Sequence, residues 1–407
     1  MSETVNAAPL SVDLVRDPTR ISTLRSAWEI LQATLAADSM FMTWDWFDTL
    51  LSHGPDPLAM LVFSEGDQPV AMVPVAIQGG QGVLERPGLN FGSPDYGWPN
   101  HLDFTCIPGA ESSVADALIG WLRTETWSSA SFRRFRGGSP VLEALAPRCE
   151  GVFHVSRGAP SDSPCLELPG SLDEFYAGLS KTFRKKLKYK IRRLSREFSV
   201  EFDFAETDGE VAVTFDRLVE LHRVRVHERG AESHLADDPK SVEFHRAYCQ
   251  KAAIRGDLRL GRLKLDGKVV AISYDVRAGN TVFMYNVGFD PDARRYSPGN
   301  VLTVMAIDRY IGEGVLECDL MVGTEPYKFM WAHQLRRDEN LTLFPSHLEG
   351  RVRQLVHEVR GKRRAKGLAE EQRLREESIK ELGSFLRVDA PPVVLYSEVA
   401  PVTAMQP

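Results

Sequence analysis

The sequence predicts an α/β (α+β) protein of two similar halves, each a mixed, mostly antiparallel sheet flanked by helices, with a charged helical extension at the C-terminal side. Three observations carry this. A chain of 407 residues exceeds what one hydrophobic core ordinarily serves. The order strand, Gly-containing turn, strand, Gly-containing turn, strand occurs twice, first from Leu58 and again from Leu258. Apolar residues at helical spacing precede both series. The boundaries drawn from these patterns are 1–165, 166–345 and 346–407.

In chain order, Ile21, Leu24, Trp28, Leu31 and Leu35 mark one helical face, and a second short helix is expected from Trp44 to Leu51, ended by His53-Gly54-Pro55. Strands Leu58–Phe63 and Val70–Ile77 flank the turn Glu65-Gly66-Asp67, and the Gly79–Gly82 run closes the second into a third. Leu89–Asn100, rich in Gly, Pro, Trp and Asp, reads as a loop, and a helix is expected at Ser113–Thr124. The second half begins with a basic helix, Lys181–Arg196, and a helix from Thr214 to about His227. Strands Leu258–Leu265, Val269–Val276 and Thr281–Gly288 follow, joined at Asp266-Gly267 and Gly279-Asn280. Leu348–Leu386 reads as a charged helical segment, and Val393–Tyr396 as a short apolar strand.

Composition excludes several classes. A hydrophobic fraction of 43% and a charged fraction of 26% are those of a globular chain. The net charge of −7 argues against a protein that coats nucleic acid, and no specific DNA partner is expected. Five scattered cysteines without a C-x-x-C pair favour reduced thiols over a disulfide framework. No apolar run approaches the roughly 18 residues of a membrane helix, and the N-terminal residues lack a secretory pattern, so a cytoplasmic location is expected. His222 and His227 stand five apart, which is not the spacing of a zinc-binding helix, and no metal is expected.

The chemistry is expected between Thr281 and Trp331. A strand, TVFMYNVGF, leads through DPDARRYSPGN into a helix, VLTVMAIDRYIGEG, and then a strand, VLECDLMVG, followed by TEPYKFMW. The joint at Gly299-Asn300 leaves helix amides unpaired at the positive end of a helix dipole, which suits a pyrophosphate. Arg294 and Arg295 add positive charge, and Pro298 precedes the helix where a missing N–H does no harm. An ordinary loop with a surface arginine pair fits these residues equally well.

The wider pattern resembles the GNAT superfamily, whose Arg-x-x-Gly-x-Gly/Ala motif corresponds to Arg295–Asn300, with Asn300 where the motif has a small residue. From about Trp28 to Trp331 the chain is similar to the CelD-type acetyltransferases, doubled GNAT folds related to the Fem peptidyltransferases. Its marks are GFDPDARRYSPGNVL, CDLMVGTEPYKFMW, LHRVRVHERG and KTFRKKLKYKIRRL. The resemblance implies tandem GNAT-like domains, with the first degenerate, and acetyl-CoA or another acyl-CoA as co-substrate. It implies donor contacts from Val287, Phe289, Arg294, Arg295, Ser297, Pro298, Gly299, Asn300 and Val301, and two parallel strands, Thr281–Gly288 and Val315–Gly323, that splay apart so that backbone groups meet the donor.

Direct transfer from a thioester requires the donor to be held, the nucleophile deprotonated, the carbonyl polarised and the thiolate released. Asp319, mid-strand among apolar residues that would raise its pKa, is the first candidate base or acceptor-orienting group, and a structural ion pair is the alternative. Glu325 is a second candidate base. Tyr327 stands where GNAT enzymes often place the acid for the thiolate, and Lys328 is a candidate for phosphate or oxyanion contact. His222, Arg225 and Tyr285 are candidates for substrate contact, as are Asp95 and Trp98 in the first half, where rings beside polar groups suit a sugar. The Lys181–Arg196 helix combines an apolar stripe with nine cations. It is a solvated face, or a surface for anionic lipid, a phosphorylated substrate or tRNA. The expected acceptor is a small molecule or saccharide. Aminoacyl-tRNA-dependent transfer and a non-catalytic role in a polysaccharide assembly are the alternatives, and the oligomeric state is left open.

Overall fold

A computed structural model describes residues 9–35, 38–54, 57–79, 86–92, 96–228, 230, 232–363, 366 and 394–395. The first half runs β1 (Ser11–Val15), α1 (Pro18–Thr23), α2 (Arg25–Gln32), α3 (Trp44–His53), β2 (Leu58–Glu65), β3 (Gln68–Gln78), β4 (Gly88–Phe91), β5 (Thr105–Cys106), α4 (Glu111–Thr124), β6 (Ser129–Arg136), α5 (Pro140–Cys149), β7 (His154–Arg157) and β8 (Ser161–Glu167). The second runs α6 (Leu172–Gly178), α7 (Lys181–Glu197), β9 (Val200–Phe204), α8 (Asp208–His227), α9 (Pro239–Ile254), β10 (Leu258–Leu265), β11 (Lys268–Ala278), β12 (Thr281–Phe289), α10 (Pro298–Gly312), β13 (Glu317–Asp319) and β14 (Gln334–Phe344). A helix, α11 (348–363), and β15 (Val394–Leu395) follow.

One sheet passes through both halves in the order β1-β2-β3-β4-β6-β14-β8-β13-β12-β11-β10-β9. Read inward from either end, each half makes three antiparallel pairings and then a parallel one, β4 with β6 and β12 with β13. The next strand inward is exchanged. The first half borrows β14 from the end of the second, and the second borrows β8 from the end of the first. The drawn boundary at 165–166 therefore falls inside β8, a strand that serves the second half.

The strands are buried because both sheet faces are covered. Met60–Phe63 and Ala71–Ala76 are buried without alternation, as expected for sheet interior. The largest core cluster spans the two halves, joining Trp28, Trp46 and Phe132 to Phe215, Phe244, Tyr274 and Phe283. The other face of the second half packs α6, α7 and α10 through Leu187, Ile307, Tyr310 and Trp331. Among the described residues no helix is long and apolar enough to cross a membrane.

Several expectations shift. The single helix at Ile21–Leu35 is two, broken at Leu24. The loop expected at Leu89–Asn100 contains β4, whose Leu89 and Phe91 point into the core. The helix expected from Thr214 starts at Asp208, where Thr207 and Glu210 form a capping box. The strand expected at Val315–Gly323 shrinks to three residues, because Val315 still bonds to Tyr310 O of α10 and Met321 and Gly323 take positive φ. Residues 364, 365 and 367–386 of the expected C-terminal helical segment lie outside the described residues.

Candidate active site

The parallel strands β12 and β13 pair only at Thr281–Phe283 against Glu317–Asp319. Beyond that point β12 continues to Phe289, while the chain after Asp319 turns to the other neighbour, with Leu320 N bonding Pro164 O and Gly323 N bonding Asp162 O. The strands part, and the β12 edge from Met284 onward has no strand beside it among the described residues. Met284, Tyr285, Asn286 and Val287 are only half-buried, although the strand is central to its half. Here the Val287 N–H is taken by the Asn286 side chain at 2.8 Å.

The open end of this gap leads to α10. After β12 a 3-10 turn, Pro291–Tyr296, brings the chain to Ser297, whose left-handed backbone (φ 57) starts the helix without a side-chain cap. Pro298 has no N–H, and Val301 N bonds back to Ser297 O at 3.2 Å, so the amides of Gly299 and Asn300 head the helix. A Cβ on Gly299 would meet only Phe289 Cδ1, at 3.7 Å. The protein's own packing does not demand glycine there. A ligand lying against the amide would.

Both arginines have partners within the protein. Arg294 is ion-paired with Glu228 at the end of α8, and the Arg295 guanidinium lies 4.7 Å from the Tyr296 ring. The pair is exposed, so an anion that displaced it would lose little. The basic helix α7 lies alongside: Lys190 donates to Arg295 O, and Arg193 covers the same Tyr296 ring at 5.0 Å.

Asp319 differs from expectation. It is fully buried, and both oxygens are taken, one by the Met321 N–H at 2.7 Å and the other by His101 Nε2 at 2.9 Å. The other side of the His101 ring meets Asp338, Nδ1 to Oδ1 at 2.7 Å, while the His101 N–H donates to Oδ2 at 2.9 Å. Burial opposes charge on His101, and the two carboxylates beside it outweigh that, pushing the imidazole up to about 10. Burial also pushes Asp319 up, but the imidazolium overrides it and holds the acid below its usual range. The raised pKa expected of Asp319 is thus corrected: it is an ionised member of a buried ion triad. Its partners were not legible in sequence, because His101 and Asp338 lie in no motif.

Lys328 is corrected as well. Its ammonium is buried, donates to the carbonyls of Met321 and Val322 at 2.9 Å and Gly323 at 3.3 Å, and sits 3.0 Å from Glu325. It closes the loop after β13 and does not face outward to a phosphate. Glu325 is thereby held to that loop, while Tyr327 is 54% exposed.

On the opposite face, α8 crosses β12 so closely that a Cβ on Gly288 would come within 3.0 Å of the His222 backbone nitrogen. His222 is buried against Ser233, Nδ1 to Oγ 2.8 Å, and burial, then Arg225, push it down to about 4. Arg225 lies over Phe289 at 5.6 Å, near the start of α10. Tyr285 donates to Gly97 O at 2.7 Å and stands 3.2 Å from His245 Nε2. Trp98 is 40% exposed beside His234 and the Arg134 guanidinium, and Asp95 lies outside the described residues. The structure therefore joins Tyr285, on the stretch of β12 parted from β13, to the first-half loop through Gly97. His245 went unnoticed in sequence; a lone histidine on a helix carries no signal.

Residues 181–329 match the family model described as Acetyltransferase (GNAT) domain. Among solved structures, the chain is similar to FemX at 10% identity and a TM-score of 0.57, covering 81% of this chain and 98% of that one. It is also similar to a conserved protein of unknown function from Bacteroides thetaiotaomicron VPI-5482, at 13% identity and a TM-score of 0.50, covering 82% and 100%. A comparison with curated proteins gives no match. The family match gives the class for residues 181–329, a GNAT acetyltransferase domain, and the parting of β12 from β13 lies inside it. In this chain that domain lies within the second half, and the architecture of both halves together is the fold shared with FemX.

Proposed function

We propose that the chain is an acyl-CoA-dependent N- or O-acyltransferase that acetylates an amino sugar, saccharide precursor or similar small acceptor in cell-envelope or exopolysaccharide metabolism. The observation that carries this is the parting of β12 from β13 opposite the uncapped start of α10, where glycine leaves an amide bare. The Gly299 and Asn300 amides would take the donor diphosphate, with Ser297, Pro298 and Val301 shaping the turn, Arg294 and Arg295 neutralising charge, and Val287 and Phe289 lining the approach. The acceptor's amine or hydroxyl attacks the thioester carbonyl and gives up its proton to water, the C–S bond breaks, and the thiolate takes a proton from a donor that water then reprotonates. Tyr327 is the candidate for delivering that proton. The acceptor side would be formed by Tyr285, Arg225 and Trp98, with His222 tying α8 to Ser233. Titration with acetyl-CoA tests the reading: a melting point that rises with ligand concentration is expected, and no rise up to millimolar acetyl-CoA overturns it.

A second reading has its own observation. The cations of α7 adjoin Arg295 beside the donor cradle, a fit for the phosphates of an aminoacyl-tRNA. Activity abolished by RNase would favour it over acyl-CoA, and acetyl-CoA binding without thiol release would favour a non-catalytic role.

A further inference from the structure

We propose that His245 is a positioning residue for acyl transfer, holding the Tyr285 hydroxyl so that one free lone pair faces the incoming nucleophile. This rests on the reading of the β12 gap as the reaction site. Tyr285 lies two residues beyond Phe283, the last β12 residue paired with β13, where the strands have already separated. Its hydroxyl is 2.7 Å from Gly97 O. A carbonyl only accepts, so the tyrosine proton is committed to it. The contact from His245 Nε2, at 3.2 Å, must then run the other way, with the imidazole donating. This assigns the Nε2–H tautomer and leaves Nδ1 as a bare lone pair. Consistent with that, Nδ1 is buried without a hydrogen-bond partner.

The surroundings fix this state. His245 is 1% exposed, its ring 5.0 Å from those of Phe244 and Tyr285 and 5.8 Å from Tyr274. Burial pushes it down to about 3, so it is neutral at any working pH. Burial also pushes the Tyr285 phenol up, keeping its proton in place. With its proton on Gly97 and one lone pair on His245, the tyrosine oxygen has one acceptor site left. An amine or hydroxyl donating to it would be held beside the gap without the tyrosine taking its proton. Gly97 belongs to the first half, so both halves contribute to this contact. Its backbone (φ 73) and the 2.8 Å approach a Cβ would make to Trp46 leave room for glycine alone.

The test uses the full chain. Nitrogen-15 histidine NMR is expected to give His245 as the neutral Nε2–H tautomer, and an Nδ1–H tautomer overturns the proposal whether or not any donor binds. His245→Phe removes the donor together with an unpartnered buried nitrogen, so its melting point should not fall. Thiol release from acetyl-CoA, with glucosamine or water as nucleophile, should drop about 100-fold in kcat with the acetyl-CoA KM within twofold. His245→Gln, which retains an N–H donor, should recover most of that loss. A His245→Phe enzyme with native kcat, or a Gln variant as impaired as Phe, overturns the proposal. Failure of the native chain to bind acetyl-CoA would instead count against the donor reading, leaving the tautomer result to decide this one.

Discussion

A histidine clamped between two carboxylates and histidines buried among apolar groups respond to pH from opposite sides. His101 has its folded pKa raised from an ordinary 6.5 to about 10, so its contribution is complete below 6.5 and is lost as pH rises toward 10. His222 and His245 are depressed, to about 4 and about 3, by burial. Their contribution is complete above 6.5 and is lost as pH falls toward those values. A scan of melting temperature against pH should decline on both sides of neutrality, and His101→Ala should flatten the alkaline arm. That variant leaves Asp319 and Asp338 buried without their cation, and should cost about 3–5 kcal/mol in denaturant unfolding. Asp319 was conspicuous in sequence as an acid in an apolar strand. Its role reversed once a partner 218 residues away became visible.

At the level of elements, the start of α10 carries the donor reading. A helix start near Gly299-Asn300, with Pro298 ahead of it, is legible in sequence, and the helix begins slightly earlier, at Pro298 after Ser297. Asn300→Asp places a carboxylate in the first turn. It should stabilise the helix by about 0.3–1 kcal/mol through the dipole. The same charge repels a diphosphate, so acetyl-CoA affinity measured by calorimetry should fall at least about tenfold. An affinity unchanged beside a raised melting point would move the donor away from α10. The α7 helix was equally legible, its apolar positions Leu187 and Leu194 being the buried ones. Which neighbour its cations face was not, since that depends on how α7 packs against the turn before α10.

For the whole molecule, the exchange of β8 and β14 makes the halves interdependent. A fragment of residues 166–345 keeps the GNAT segment but loses β6, most of β8 and His101. It is expected to give poorly dispersed amide NMR spectra and no cooperative thermal transition, while the full chain unfolds with one. A well-folded fragment that binds acetyl-CoA would contradict that interdependence.

The sequence by itself determined the local order of the chain. Strand and turn signals from Leu258 to Gly288 and a helix start near Gly299 depend on neighbours within a few residues, and so did the repeated order that marked two halves. Only the tertiary structure decided which strands the halves exchange, that Asp319 is bound to His101 and Asp338, that Lys328 closes a loop, and that Tyr285 meets His245 and Gly97. The physical reason is separation along the chain. Asp338 lies 237 residues from His101 and Gly97 lies 188 from Tyr285, and no periodicity links them. Burial made those few polar contacts obligatory, because a charge or donor removed from water must find its partner wherever packing brings one.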